Sequence, residues 1–396
     1  MWFLLYLIQF ALAEPSCKPA EASEPLEIYL LTSGPGEGVY TKIGHSALWV
    51  SGGGKRETVF NWGAYDSSQD NFLWRFFMGS TTYKLAMMSR QYNIKRVKEN
   101  NQRLVAQHLD LSPNMKLAIA AELARLARPE NHAYNYHWES QNCSTLIRDL
   151  IDESTNGALQ SLPPLENPTT RRFEVLRHLG SLGWAWFGWH YMASDHGDLV
   201  YDRWSSMHIP RSLFQGVNDA MITWETDENP RPLVDQTCLM NDGDWAPEQP
   251  PNRLGFFGLL GGTMGLWLFQ TRRKTTLWNL PGILWFVASG MLSAFFVFCW
   301  VFSSLDGYGF NENWFVSNPA HILIALSIWQ RTHLTSKWLW WIITTLLLSG
   351  ICWKIFDSTP QDNIDFTVLF GLPTLMWVLI YNPFQMHQSS IHSDQQ

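Results

Sequence analysis

The chain predicts two parts of different fold class: an α+β domain first, then an all-α bundle of five transmembrane helices over 254–381. Three observations carry that division. Residues 21–250 are mixed and polar, whereas 254–381 are rich in Leu, Ile, Phe and Trp. The second region contains five apolar runs at 254–270, 277–303, 314–330, 338–356 and 364–381, close to the ~20 residues that cross a ~30 Å hydrocarbon core. The polar region holds Gly44-His45-Ser46 and Asn142-Cys143-Ser144, a candidate thiol–imidazole pair.

In chain order, Met1 to Ala13 is apolar and ends in Ala11-Leu12-Ala13, a pattern suited to signal peptidase, although no Lys or Arg precedes it. Residues 1–13 read as a signal peptide or an N-terminal anchor; in both cases the polar region is expected to be exported. The catalytic domain is expected over 26–235. Glu27–Thr32 reads as a strand entering the Gly-rich loop at Gly34, Gly36 and Gly38; with no G-K-[ST] after it, that loop shapes a site entrance and does not cradle phosphate. His45–Val50 and Glu57–Trp62 read as a hairpin joined through Ser51-Gly52-Gly53-Gly54-Lys55. Ser112-Pro113 starts a helix that Arg128-Pro129 closes. A second helix begins near Cys143, with Leu146, Ile147, Leu150 and Ile151 at helical spacing. Residues 156–178 start loop-like, and 179–193 are aromatic but too short to span, so they lie on the membrane face or in a core. Residues 236–253 form a polar linker, and 382–396 a cytoplasmic tail.

Loop charges orient the membrane half. Arg272, Arg273 and Lys274 follow the first span and Arg331 and Lys337 flank the loop after the third, whereas the other two loops carry Asp306, Glu312, Asp357 and Asp362. Positive-inside logic puts the basic loops in the cytoplasm and the domain before residue 254 outside. The 22 Trp fit a membrane protein, since several (Trp278, Trp314, Trp338, Trp340, Trp341) fall near span ends. A net charge of −7 leaves no basic footprint, and nucleic acid is excluded as an expected partner.

None of the five cysteines forms a C-x-x-C pair, and His190, His196 and Asp198 do not match one helix face, so no metal is expected. Cys299 and Cys352, within apolar spans, read as packing residues. A disulfide between Cys17 and Cys238, which flank the polar region, would leave Cys143 a free thiol.

A thiol attacks a carbonyl as thiolate, which needs a lowered pKa. The first turn of a helix supplies this at Cys143, and an imidazole completes the activation and returns the proton to the leaving group. His45 is the expected base, ahead of His132 and His137, because papain-like folds pack the nucleophile helix against a sheet that presents the histidine. With the hairpin centred on Gly53, His45 faces Asn61, which would orient the imidazole; Asp66 is the alternative. The Cys143 N–H is one oxyanion donor and Tyr136 the candidate second. Asn142 reads equally as a helix N-cap or a supporting site residue. Arg148 and Asp149 fit a surface ion pair. Trp184, Trp186 and Trp189 are the candidates for contact with lipid headgroups.

Gly34-Pro35-Gly36, Gly44-His45-Ser46-Ala47-Leu48, Asn61-Trp62-Gly63, Tyr134-Asn135-Tyr136 and Asn142-Cys143-Ser144-Thr145 together resemble the N-terminal domain of the Lnb lipoprotein intramolecular transacylase family. Leu111-Ser112-Pro113 and Asp202-Arg203 match as well; the likeness covers roughly 26–230, and a multi-span second half is similar to the family's. The resemblance implies a permuted papain-like fold of NlpC type, with His before Cys, in a bacterial inner-membrane protein whose catalytic domain is periplasmic. It implies that Cys143 and His45 move the sn-2 acyl chain of a lipoprotein's diacylglyceryl-cysteine to that cysteine's own α-amine, through a thioester and without a cofactor. Expected partners are diacylated lipoprotein or phospholipid and bilayer lipids; oligomeric state is left open. Two other readings stand beside it: a hydrolase of the same fold, cleaving a peptidoglycan peptide or a lipid ester, and a non-catalytic lipid-binding membrane protein.

Overall fold

Alternation of apolar side chains in the first half of the chain builds one sheet with a core on each face. The computed structural model describes residues 17, 19–54, 56–65, 70–225, 229–272, 274–330, 336–358 and 361–383. The segment 1–13, Asp66, Arg273, Arg331 and residues 384–396 of the tail lie outside the described residues.

The chain divides into two units, one containing 17–169, 177–182 and 200–249, the other 170–176, 183–199 and 250–383. The first unit is α+β. Its strands are β1 (Glu27–Ser33), β2 (His45–Ser51), β3 (Thr58–Ala64), β4 (Thr82–Met88), β5 (Leu104–Leu109), β6 (Ala133–Asn135), a short pair β7 (Met221–Ile222) and β8 (Arg231–Pro232), and β9 (Val234–Asn241). Seven of them form an antiparallel sheet in the order β6-β4-β3-β2-β1-β5-β9. Its helices are α1 (Phe72–Phe77), α2 (Arg90–Glu99), α3 (Pro113–Leu126) and α4 (Cys143–Ser154), then α7 (Arg203–Ser206) and α8 (Pro210–Asp219) after the intervening α5 (Arg171–Leu179) and α6 (Gly183–Met192).

Successive residues of a strand face opposite ways. Ile28, Leu30, Leu48 and Val50 accordingly join the core made with Ile119 of α3, Ile147, Leu150 and Ile151 of α4 and Leu213 of α8. Tyr29, Leu31, Ala47 and Trp49 join a second core with Val97 of α2 and the Cys17–Cys238 disulfide. At the start of α3 the Ser112 hydroxyl accepts from the Met115 N–H and Pro113 occupies the first turn, as expected.

Two expectations are corrected. The supposed linker from 236 begins inside β9, the sheet's edge strand, paired with β5 from Leu109–Val234 to Leu104–Asn241. Side chains hold that strand in place: the two ring nitrogens of His108 on β5 contact Asp235 at 2.5 Å and Glu27 of β1 at 2.6 Å. The β2–β3 register is also longer by two residues than a hairpin centred on Gly53 requires, since Val50 pairs with Thr58 and Leu48 with Phe60.

The second unit is helical. It contains α6 and α9 (Leu254–Thr271), α10 (Thr276–Phe302), α11 (His321–Gln330), α12 (Ser336–Phe356) and α13 (Ile364–Ile380). A Cβ on Gly261 of α9 would lie 2.3 Å from the Val368 carbonyl of α13, so only glycine permits this close helix approach. Among the described residues, α10 and the stretch Lys337–Phe356 are long and apolar enough to cross a membrane; α11 and α13 are apolar but shorter. The third run does not become one helix over 314–330. A 3-10 turn at Glu312–Phe315 precedes it, and α11 starts only after Pro319. Cys299 is buried, as a packing residue should be, whereas Cys352 is exposed on α12.

Inside this unit the carbonyls at the end of α6 are met by side chains. Asn311 donates to the Tyr191 and Ala193 carbonyls, and Gln361 donates to Ala193. Residues 183–199 therefore belong to the helical core, where the sequence placed them in the α+β domain.

Candidate active site

The site forms where α4 begins against β2. Asn142 is the N-cap: its Oδ1 accepts from the Ser144 and Thr145 N–H groups at 2.8 and 2.9 Å, and the Thr145 hydroxyl accepts from the Asn142 N–H. Its Nδ2 donates to the Trp138 and His208 carbonyls at 2.7 and 3.0 Å. Asn142 thus caps the helix through its oxygen and ties the turn to residues 138 and 208 through its nitrogen. Cys143 follows at the first helical position, where the macrodipole favours an anion.

His45 is the first residue of β2. Gly44 before it has φ +87°, and a Cβ there would lie 2.4 Å from the Ser33 carbonyl, so glycine is required for the turn that delivers the imidazole. The Ser46 hydroxyl meets that of Ser144 at 2.9 Å in a fully buried contact, fastening the first turn of α4 to β2. His45 and Cys143, distant in sequence, lie within electrostatic reach of each other, and both remain partly exposed.

The His45 Nε2 lies 3.2 Å from the Asn61 Oδ1, an acceptor, so that nitrogen carries the proton and Nδ1 is left for the sulfur. The contact exists despite the corrected register. Continuing that register puts Gly63 opposite His45, and Asn61 reaches it diagonally. Gly63 lies beside the ring, 3.8 Å from Cε1 at its Cβ position.

Each group favours the charged form of the other. Burial pushes the Cys143 thiol up, but the charge and hydrogen bond of His45, the Ser46 N–H and the Ser144 hydroxyl outweigh it and bring the thiol below its ordinary value. Burial pulls His45 down, but the facing thiolate and the Cys143 and Asn61 hydrogen bonds raise it above the ordinary imidazole value. A lowered thiol at a helix start is suited to nucleophilic attack, and an imidazole beside it to proton transfer.

Tyr136 is half-buried, its N–H bonded to the Thr81 carbonyl and its ring 4.3 Å from that of Tyr83. It lies within electrostatic reach of Cys143, and so does Tyr134, whose buried hydroxyl faces the Gly63 backbone. His137 accepts from the Glu139 and Ser140 N–H groups through Nδ1, a turn-closing role. The tryptophans separate. Trp184 is 72 % exposed and Trp189 half-buried, but Trp186 is 1 % exposed, packed on His190, Phe257 and the Arg253 guanidinium. An indole enclosed by its own unit has no face left for headgroups, which corrects the expectation for Trp186.

Ser46, Ser144 and Tyr134 were missed as site residues. Ser46 and Ser144 directly follow His45 and Cys143, so adjacency was the available signal. Tyr134 is two residues from Tyr136 on an extended segment, and local pattern does not choose between them.

A thiol and an imidazole held by an antiparallel sheet and the helix packed on it, in a chain whose other half is apolar helices, define a membrane-attached protein with a candidate Cys–His site. The Lnb N-terminal periplasmic domain matches residues 19–176 and the Lnb transmembrane domain matches residues 250–389. The chain belongs to the Lnb family, and it is a membrane protein with an extracytoplasmic N-terminal domain. No curated protein and no solved structure matches it.

Proposed function

We propose that this chain is a thiol acyltransferase that moves an acyl chain from the sn-2 position of a lipoprotein's diacylglyceryl-cysteine to that cysteine's α-amine, producing the lyso form. Membership of the Lnb family supports a role in lipoprotein processing. The observation that carries the specific reading is Cys143 at a helix start within electrostatic reach of His45, with Asn61 behind the imidazole.

The Cys143 thiolate attacks the ester carbonyl and the carbonyl oxygen becomes an oxyanion, met by the Cys143 N–H and by a tyrosine hydroxyl, Tyr136 or Tyr134. The C–O bond breaks, the glyceryl oxygen takes the His45 proton, and the acyl group remains on sulfur as a thioester. The free α-amine of the same lipoprotein then attacks the thioester carbonyl. His45 accepts the amine proton, the C–S bond breaks, and an amide and the thiolate–imidazolium pair are left. Atoms and charges balance without a nucleotide or metal. Within this proposal the catalytic domain is periplasmic, the apolar helices are five spans of a bacterial inner-membrane protein, and the substrate reaches the sulfur from the bilayer.

The test is expression of a Cys143→Ala variant in a host lacking other N-acylating enzymes, with mass spectrometry of lipoprotein N-termini. Free α-amines and intact diacylglyceryl groups are expected. An unchanged lyso form sinks the assignment, and release of free fatty acid in place of amide would make the protein a hydrolase with water as acceptor.

A further inference from the structure

The catalytic unit carries a row of aromatic rings that runs outward from Tyr136 and that, beyond it, the chemistry above leaves unused. The Tyr136 ring lies 4.3 Å from that of Tyr83, Tyr83 lies 5.3 Å from Tyr65, and Tyr65 lies 5.3 Å from Phe72 and 5.2 Å from Tyr40. Along it, Tyr136 is half-buried and Tyr83 and Phe72 are buried, whereas Tyr65 is 37 % exposed and Tyr40 is 51 % exposed. Its inner end is the tyrosine within electrostatic reach of the Cys143 sulfur. Its outer end is α1, Phe-Leu-Trp-Arg-Phe-Phe, with Trp74 48 % exposed and its one charge, Arg75, turned back onto the Ser80 carbonyl at 3.0 Å.

Contiguous exposed aromatic surface on a folded domain marks a binding surface. The composition of this one identifies the ligand. Sites for sugars or peptides set amides and carboxylates among the rings to meet hydroxyls and peptide groups. The ring faces and phenolic hydroxyls of the row from Tyr40 to Tyr136 suit an alkyl chain with a polar head at one end. Since the chain also carries a transmembrane domain, its substrate's alkyl chains are at hand in the bilayer.

We propose that this row is the acyl-chain track: a fatty chain lies along Tyr40, Tyr65 and Tyr83 with its ester carbonyl at Cys143, and α1 meets the lipid from which the chain is drawn. The proposal rests on the acyl-transfer reading for the placing of the carbonyl, but binding to the row is separable from catalysis. Full-length protein in phosphatidylglycerol–phosphatidylethanolamine vesicles is photolysed with a palmitoyl ester bearing a diazirine on the chain, both as wild type and as Cys143→Ala. Cross-links on peptides carrying Tyr65, Phe72 or Tyr83 are expected in both. Cross-links confined to 254–381, or displaced by a muropeptide and not by unlabelled palmitoyl ester, overturn the track. In turnover, Tyr65→Ser and Trp74→Ser each lower the preference in kcat/KM for palmitoyl over butyryl ester about tenfold. A parallel loss with both esters means a folding defect and also overturns it. Cross-links on the row from a protein that acylates nothing would retain the track and discard acyl transfer.

Discussion

Two histidines in this molecule each face a potential nucleophile, and their surroundings differ. His45 meets Cys143 in the α+β unit, whereas in the helical unit the His321 Nδ1 lies 2.9 Å from the Ser289 hydroxyl. The first pair is partly exposed, stands at a helix start and has Asn61 behind the imidazole. The second is closed off. His321 is 0 % and Ser289 2 % exposed, and the Ser289 hydroxyl is shared with Ser317, itself bonded to Ser293 and Tyr191. A nucleophile–base distance alone does not make a reactive site. Partial exposure and a helix start distinguish the first pair from the second. The Ser289–His321 network satisfies polar groups among apolar helices, where each unpaired one would be costly.

Under the proposed function, Cys143→Ala should break the comparison most completely, with lipoprotein N-acylation lost. His45→Gln comes next, because it removes both the counter-charge that lowers the thiol and the proton donor. Turnover should fall by roughly a thousandfold, while thioester formed from a pre-activated donor survives in part; loss of less than tenfold would move the base elsewhere. The pH dependence sharpens the same point. The thiolate–imidazolium pair forms as pH rises through the lowered Cys143 value and disappears as pH rises through the raised His45 value. The acid limb of kcat/KM should therefore fall below the ordinary thiol value of about 8.5 and the alkaline limb above the ordinary imidazole value of about 6.5. A profile that simply rises to a thiol-like midpoint would mean an unpaired cysteine. Asn61→Ala removes one hydrogen bond to a charged imidazole, about 1.5–3 kcal/mol, and should cost roughly tenfold to a hundredfold in kcat. Asn61→Asp should keep the orientation and shift the alkaline limb upward.

How much of this was legible in the sequence depended on how local the signal was. The Gly44-His45-Ser46 turn, the Asn142 cap and the Ser112-Pro113 helix start are written in neighbouring residues, and the structure has all three. The His45–Asn61 contact was anticipated from the wrong register, because the three-glycine turn gave no sign of where pairing would begin, and a long side chain reached the partner anyway. β9 was invisible as a strand. Its solvent-facing residues are polar, and its place is set by β5, the His108–Asp235 contact and a disulfide spanning most of the unit. Trp186 was misread for the same reason: whether a tryptophan meets lipid or a core depends on Phe257 and Arg253, far along the chain.

The smallest expected effect tests the closed pair. Ser289→Ala leaves the His321 Nδ1 and the Ser317 hydroxyl each short of a buried partner, a cost of about 1–3 kcal/mol in the helical unit. The predicted outcome is a lower thermal midpoint in detergent with kcat and the pH profile unchanged, because the network is built from residues of the helical unit and the Cys143–His45 pair from residues of the other. Ser289→Cys discriminates further. A thiol there retains bulk and some hydrogen bonding but lacks the helix start and neighbouring donors that make Cys143 a thiolate, so it should resist alkylation under conditions that label Cys143. Rapid alkylation of a thiol at position 289 would show that the helical unit admits solvent to its centre, and the contrast between the two histidines would lose its basis.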